Sequence, residues 1–354
     1  MSRGIALVTL CLLGSLTAAT AADVVTTKVI GSEFVGKYKH PASFTELDNG
    51  DLYLAYYGGD GEYEENSKVW GMRRVKGSDA WTTPVVIADT PFLGEGNPVV
   101  WQGPDGTVWL FYNQRYGDSW SEARIKGKIS TDGAHTWSDS FVVAYELGMM
   151  ARGRPILLNN GNYLLPIYYE TGDDREMTAA DTSSLFVFFD PKTKKWTESG
   201  RIVSSKGNLQ PAPVQMTDDH LIAYCRRGGN FEPVKDGYII RSESHDGGKT
   251  WSRGEDTAFA NPNSAVDFIK LQNGHLLLIY NDSMVAREKL TVAISTDSDK
   301  TYPHKLLVGP GDKDYAYPVA LQAKDGTIHI IYTQDERATV MHAEFSEDAV
   351  LKAK

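Results

Sequence analysis

Six times along this 354-residue chain, a small residue or a proline opens an apolar run that turns tightly and returns to a tyrosine. NPVVWQGPDGTVWLFY and YPVALQAKDGTIHIIY are two of the six copies. The turns fall at Gly50, Gly106, Gly161, Asp219, Gly274 and Gly326, spaced by 56, 55, 58, 55 and 52 residues. Asn-Gly or Asp-Gly between apolar runs reads as a hairpin, because the turn needs positive φ. The returning strands end on Tyr56, Tyr112, Tyr168, Tyr224, Tyr280 and Tyr332.

A second ladder runs out of phase with the first. Trp81, Trp137, Trp196, Trp251 and Tyr302 are spaced by 56, 59, 55 and 51 residues, and each follows a polar turn. In SHDGGKTW at 244–251, Ser and Asp can hydrogen-bond the turn backbone while Trp plugs it against its hairpin. STDGAHTW at 130–137 is a close copy and STDSDKTY at 295–302 a degenerate one. These turns read as structural. Two hairpins per period make a four-stranded blade, and six periods make a six-bladed, all-β propeller. A β-sandwich would not explain two ladders of one period. The sixth period lacks the Trp turn, so a strand from Val24–Phe34 is expected to complete it.

Composition narrows the class. Lys and Arg total 36 against 46 Asp and Glu, a net charge of −10, or −11 once Arg3 is lost with a leader. That argues against nucleic acid or an anionic membrane as partner. Residues 1–22 carry one Arg, an apolar run and a small-residue exit, Ala19-Thr20-Ala21, so they read as a secretory signal peptide. Residues 23–354 then form one exported propeller domain, secreted or periplasmic and monomeric. Cys11 falls in that leader, and Cys225 alone cannot make an intramolecular disulfide. No His/Cys group has zinc spacing and no Gly-rich phosphate loop precedes a helix, so no metal or cofactor is expected.

In a propeller the inner strand of each blade starts near the axis. The residues just before each small or proline position therefore converge: Lys39 and His40, Glu95 and Asn97, Arg154, Gln210, Asn263, Tyr315 and Tyr317. Nearby strand ends add Glu170, Arg226, Arg227 and Arg287. Arginines gathered at the hub of an acidic protein need an anionic partner, either a ligand or Glu95, Glu170 or Asp267.

The S-x-D-x-G-x-T-W turns resemble the Asp boxes of the sialidase-like, BNR-repeat propellers over nearly the whole mature chain. That resemblance implies a tyrosine nucleophile paired with a glutamate, three arginines on the sugar carboxylate and a separate acid. DYAYPVA is similar to the nucleophile segment and suggests Tyr317. REKLTVAIS and LIAYCR are similar to arginine segments and suggest Arg287 and Arg226. Lys39-His40-Pro41 stands where an Arg-Ile-Pro would, so Lys39 or Arg154 would have to replace the first arginine. No acid occupies Asn208-Leu209-Gln210, where the tyrosine's partner belongs. The acid would come from GGDGEYEEN, with Asp60, Glu62, Glu64 and Glu65 all open. The implied activity is exo-hydrolysis of a terminal acidic sugar, with Gln210 and Asn263 among the binding residues. His40 and Tyr317 also suit β-elimination on a uronic acid, and the missing groups suit a carbohydrate binder without catalysis.

Overall fold

The computed structural model describes residues 24–353 apart from 176, 231, 312 and 313. The expected signal peptide lies outside the described residues. Six antiparallel sheets follow one another around a ring. Their innermost strands are Tyr38–Glu46, Glu95–Gln102, Met149–Ala151, Asn208–Gln215, Asp267–Lys270 and Ala316–Gln322, which define blades one to six. Blade three is irregular, because Ile156–Leu157 makes a second short pairing with its next strand, Tyr163–Tyr169.

The sixth blade is completed as expected. The strand Val25–Ile30 pairs antiparallel with Thr339–Phe345, matching Val25 with Glu344 and Lys28 with Met341. A short helix, Glu347–Lys352, follows and packs Ala349 and Val350 into the apolar core between blades five and six. Its N-cap Ser346 accepts from the Ala349 amide. Among the described residues no helix is long and apolar enough to cross a membrane.

The continuous apolar runs along the strands now have a reason. Both faces of every blade meet a neighbour, and one hydrophobic cluster fills each of the six gaps. All six ladder tyrosines are buried. The polar turns join third and fourth strands and share one hydrogen-bond set. In SHDGGKTW, Ser244 Oγ donates to Asp246 at 2.8 Å, and Asp246 accepts from the Thr250 amide and hydroxyl at 2.9 and 2.6 Å. Ser130 with Asp132 and Ser295 with Asp297 repeat this geometry. These bonds hold all three aspartates below the usual carboxylate range, even though burial pushes Asp246 the other way. Trp251 then stacks on Phe186 of the preceding blade, ring centroids 4.5 Å apart. Each turn therefore rivets one blade to the next, at the end of the third strand away from the hub cavity.

Candidate functional site

The inner strands share a local distortion that aims side chains at the axis. Register slips between Lys39 and Ala42, Gly96 and Val99, Leu209 and Ala212, and Ala316 and Val319. Within three of these bulges Asn97, Gln210 and Tyr317 have φ of 40°, 56° and 51°, and Asn263 at the corresponding place in blade five has 58°. A bulge leaves one residue unpaired and redirects it. Positive φ in a side chain that is not glycine costs about 1–2 kcal/mol. The sequence positions before proline are thus the re-aimed ones.

All six blades line one cleft, which encloses about 700 Å³ with its open mouth included. Tyr317 sits in it, with His40, Glu62, Glu170, Gln210, Arg226, Arg287 and Arg337. The Tyr317 hydroxyl oxygen accepts from Arg226 Nη1 at 2.9 Å and Gln210 Nε2 at 3.3 Å. The guanidinium carbons of Arg152, Arg226 and Arg287 lie 5.1, 5.8 and 5.6 Å from its ring centre. Burial pushes its phenol up, but Arg226 and Arg287 outweigh burial and leave it below the usual tyrosine value.

His40 presses its edge against that ring, centroids 4.2 Å apart. Thr333 gives its hydroxyl proton to the Ala316 carbonyl, so its oxygen accepts from His40 Nδ1 at 2.6 Å. That assignment leaves Nε2 with the lone pair. Burial, then Arg337 and the other arginines, holds His40 well below the ordinary imidazole range, so it is neutral.

The cleft's charge is set by four guanidinium groups, Arg175, Arg226, Arg287 and Arg337, against two carboxylates, Glu62 and Glu170. Burial and the neighbouring Arg337 and Arg226 push Arg287 down to about 10. Glu62 accepts from Tyr38 at 2.7 Å, Trp120 Nε1 at 3.2 Å and Arg337 Nη1 at 3.3 Å. Glu170, at the end of Tyr163–Tyr169, is pushed up to about 7 by burial, which Arg226 only partly offsets. At the rim, Tyr63 donates to the Arg175 carbonyl at 2.9 Å and Arg175 Nε donates to the Asp118 carbonyl at 2.7 Å. Loops of blades one, two and three are thereby tied across the mouth.

Four expected site residues do not line the cleft. The Lys39 ammonium turns back onto the Gly36 carbonyl, because its strand neighbour His40 takes the inward direction. Asp60 is exposed and bonds the Asn66 amide at 2.8 Å. Arg154 is set against the buried Asp267 rather than the cleft. Asn263 is behind Arg226, accepting from its Nε at 2.6 Å, and orients it without facing the cavity. Strand alternation likewise turns Arg227 outward to the Asn261 carbonyl, and Tyr315 donates to Pro310. Glu95 is buried beside Gln114.

Three arginines of the site were not among the expected residues: Arg175 at the rim, Arg337 and Arg152. Arg337 stands in the turn Asp335-Glu336-Arg337, three successive residues with φ near 60°. Arg152 donates to the Tyr317 and Pro318 carbonyls at 2.9 and 3.3 Å beneath the tyrosine. The available clue was topological. Loops joining second and third strands reach the same face as the inner-strand starts, and Glu62, Trp120, Arg175, Arg287 and Arg337 all come from such loops.

The model of the BNR repeat-like domain matches residues 50–330. No curated protein sequence matches the chain. Among solved structures, Hadza microbial sialidase Hz136 superposes with a TM-score of 0.77 at 16% identity, covering 92% of this chain and 69% of that one. A protein of unknown function from Dyadobacter fermentans DSM 18053 gives 0.72 at 18%, over 92% and 99%. The intramolecular trans-sialidase from Ruminococcus gnavus, solved with oseltamivir carboxylate, gives 0.71 at 14%, over 91% and 97%. Matched over most of its length and built as a ring of six blades, the chain belongs to the BNR repeat-like domain family of sialidase-like propellers.

Proposed function

We propose that this protein is an exported glycosidase that removes a terminal acidic sugar, with Tyr317 as nucleophile. One observation carries the reading. The oxygen of a tyrosine accepts from Arg226 inside a cleft where Arg226, Arg287 and Arg337 converge from three blades. Crowded, buried guanidinium groups repel one another, and a sugar carboxylate relieves that repulsion. Arg337, held charged because Tyr38, Glu62 and Tyr317 outweigh the cost of burial, takes the role expected of Lys39 or Arg154.

In this scheme Tyr317 releases its proton to solvent under the pull of Arg226 and Arg287. It attacks the anomeric carbon as the phenolate while the glycosidic C–O bond breaks, and it leaves again as the phenolate when water displaces it. The departing oxygen takes a proton from Glu170, whose raised pKa keeps it partly protonated at neutral pH. Water then cleaves the tyrosyl–sugar bond, with Glu170 taking a proton back. Glu62, already accepting three hydrogen bonds, serves to hold Arg337. Gln210 replaces a carboxylate beside Tyr317. The nearby arginines rather than a general base then favour the phenolate.

A second reading, β-elimination from a uronic acid, is favoured by the neutral His40 ring against Tyr317. One experiment separates the readings. The protein is incubated with sialosides and with uronic-acid oligosaccharides, alongside Tyr317→Phe. Free sialic acid or another free acidic sugar, lost in Tyr317→Phe, supports hydrolysis. An unsaturated, ultraviolet-absorbing product supports elimination. Binding without product in either case refutes both and leaves a carbohydrate-binding propeller.

A further inference from the structure

On the face opposite the cleft, strand pairing brings together three ligand-type side chains that are far apart in sequence. Leu221 pairs with Ser244 and Ile222 with Glu243 across the second and third strands of blade four. His220 and His245 lie one step further out, and their rings stack at 4.7 Å and 12°. Because strand side chains alternate, Glu243 shares a face with His245, two residues on. We propose that His220, Glu243 and His245 form a binding site for a single transition-metal cation, with Zn²⁺ the expected occupant.

Both imidazole Nε2 atoms lie close to the same oxygen, and His220 hydrogen-bonds it. Glu243 Oε2 lies 3.1 Å from His220 Nε2 and 3.2 Å from His245 Nε2. A cation bonded at ~2.0–2.1 Å to nitrogen and oxygen in a tetrahedral shell puts its ligands roughly 3.3 Å apart, which matches both spacings to Glu243. Rotation of the exposed His245 ring out of its stack on His220 would bring its lone pair onto the ion. Two histidines and one carboxylate, with the remaining position left to water, suit Zn²⁺ and its neighbours better than Ca²⁺ or Mg²⁺. On binding, each imidazole presents its Nε2 lone pair and carries its proton on Nδ1.

The carboxylate is also held from behind. Arg241 donates to Oε1, the oxygen facing away from the histidines, and is itself neutralised by Asp299 at 2.9 and 2.7 Å. Such outer bonds fix a ligating carboxylate in place. A second cluster, His329, His342 and Glu344, makes the contrast. There Arg74 lies 2.8 Å from Glu344 Oε1, the same oxygen that His329 approaches at 3.2 Å. A guanidinium on the ligand oxygen itself repels a cation, so one site is expected rather than two.

The test uses the full-length protein stripped with chelator and titrated with ZnCl₂, and in parallel with CoCl₂. The expected result is saturation at one ion per chain, visible d–d bands with Co²⁺, and a thermal midpoint about 5 °C higher at saturating Zn²⁺. His245 is largely exposed, so His245→Ala should fold normally and weaken binding at least tenfold. His220→Ala should do the same. No saturable binding, or binding that survives both substitutions, overturns the proposal.

Discussion

Replacing Glu170 by Gln should make the protein more stable, and increasingly so as pH rises. The carboxyl sits at about 7 in the folded state against an ordinary 4.5, because burial opposes its charge. Below pH 4.5 both folded and unfolded chains hold the proton and nothing is lost. As pH rises, the unfolded chain releases its proton first, and stability falls until the folded group also ionises near pH 7. A shift of this size corresponds to about 3 kcal/mol, trimmed to roughly 2 because the group faces the open cleft. Gln carries no such penalty. The variant's advantage should therefore grow by about 2 kcal/mol between pH 5 and pH 8, which at an m-value of ~3 kcal/mol/M is a urea midpoint shift of roughly 0.7 M. Glu95 is likewise pushed up to about 7 by burial but lies outside the cleft. Glu95→Gln should repeat the stability gain and leave turnover intact, whereas Glu170→Gln should lose roughly 10²–10⁴-fold in turnover. A pH-independent gap between Glu170→Gln and the parent would show that Glu170 ionises normally, and the proton-donor role would lose its basis.

Other consequences can be measured directly. Arg337→Met should raise KM for an acidic-sugar substrate at least tenfold, read by steady-state kinetics, with a much smaller effect on a neutral analogue. Trp251→Ala should cost about 3 kcal/mol in denaturant unfolding by emptying the stack on Phe186, without changing turnover. His342 is pushed down to about 3 by burial, so the folded state refuses a proton that the unfolded chain accepts below pH 6.5. Acid should therefore erode stability from pH 6.5 downward by about 4 kcal/mol, and urea midpoints of His342→Gln should lack that part of the slope.

The ring was legible because its determinants are local and repeated. An Asn-Gly at 49–50 or an Asp-Gly at 325–326 specifies its hairpin without reference to the rest of the chain. The Trp turns do the same on the other hairpin. The inward residues of bulged strands were legible for a related reason, since His40, Asn97, Gln210 and Tyr317 each precede a proline. What sequence could not supply was parity and reach. Lys39 and His40, or Arg226 and Arg227, are adjacent, and only the strand's register decides which of each pair faces the axis. Arg337 has no motif, because its place depends on a turn of three left-handed residues and on Glu62, which is 275 positions away. The pairing of His220 with His245 was invisible to a search for zinc spacing, because a sheet, not a short loop, sets their distance.

The strand Val25–Ile30 reaches its partner only after some 300 further residues have been made. Closing so long a loop costs roughly 5 kcal/mol in chain entropy before any contact is counted. Until then a six-residue strand with valine, isoleucine and threonine has no partner, guarded chiefly by Lys28. Ring closure is therefore expected to be the slow, late event in this chain's folding, and its seam the place where the ring reopens first. Bonds at and beside the cleft also cross the seam. His40 reaches Thr333, Arg337 reaches Glu62, and the Lys39 amide donates to the Arg337 carbonyl at 2.9 Å. On the proposed function, a ligand gripped by Arg337 on one side and by blade one on the other would act as a clasp on the ring. Occupancy should therefore be visible as slower hydrogen exchange in the strand Val25–Ile30, far out on the rim.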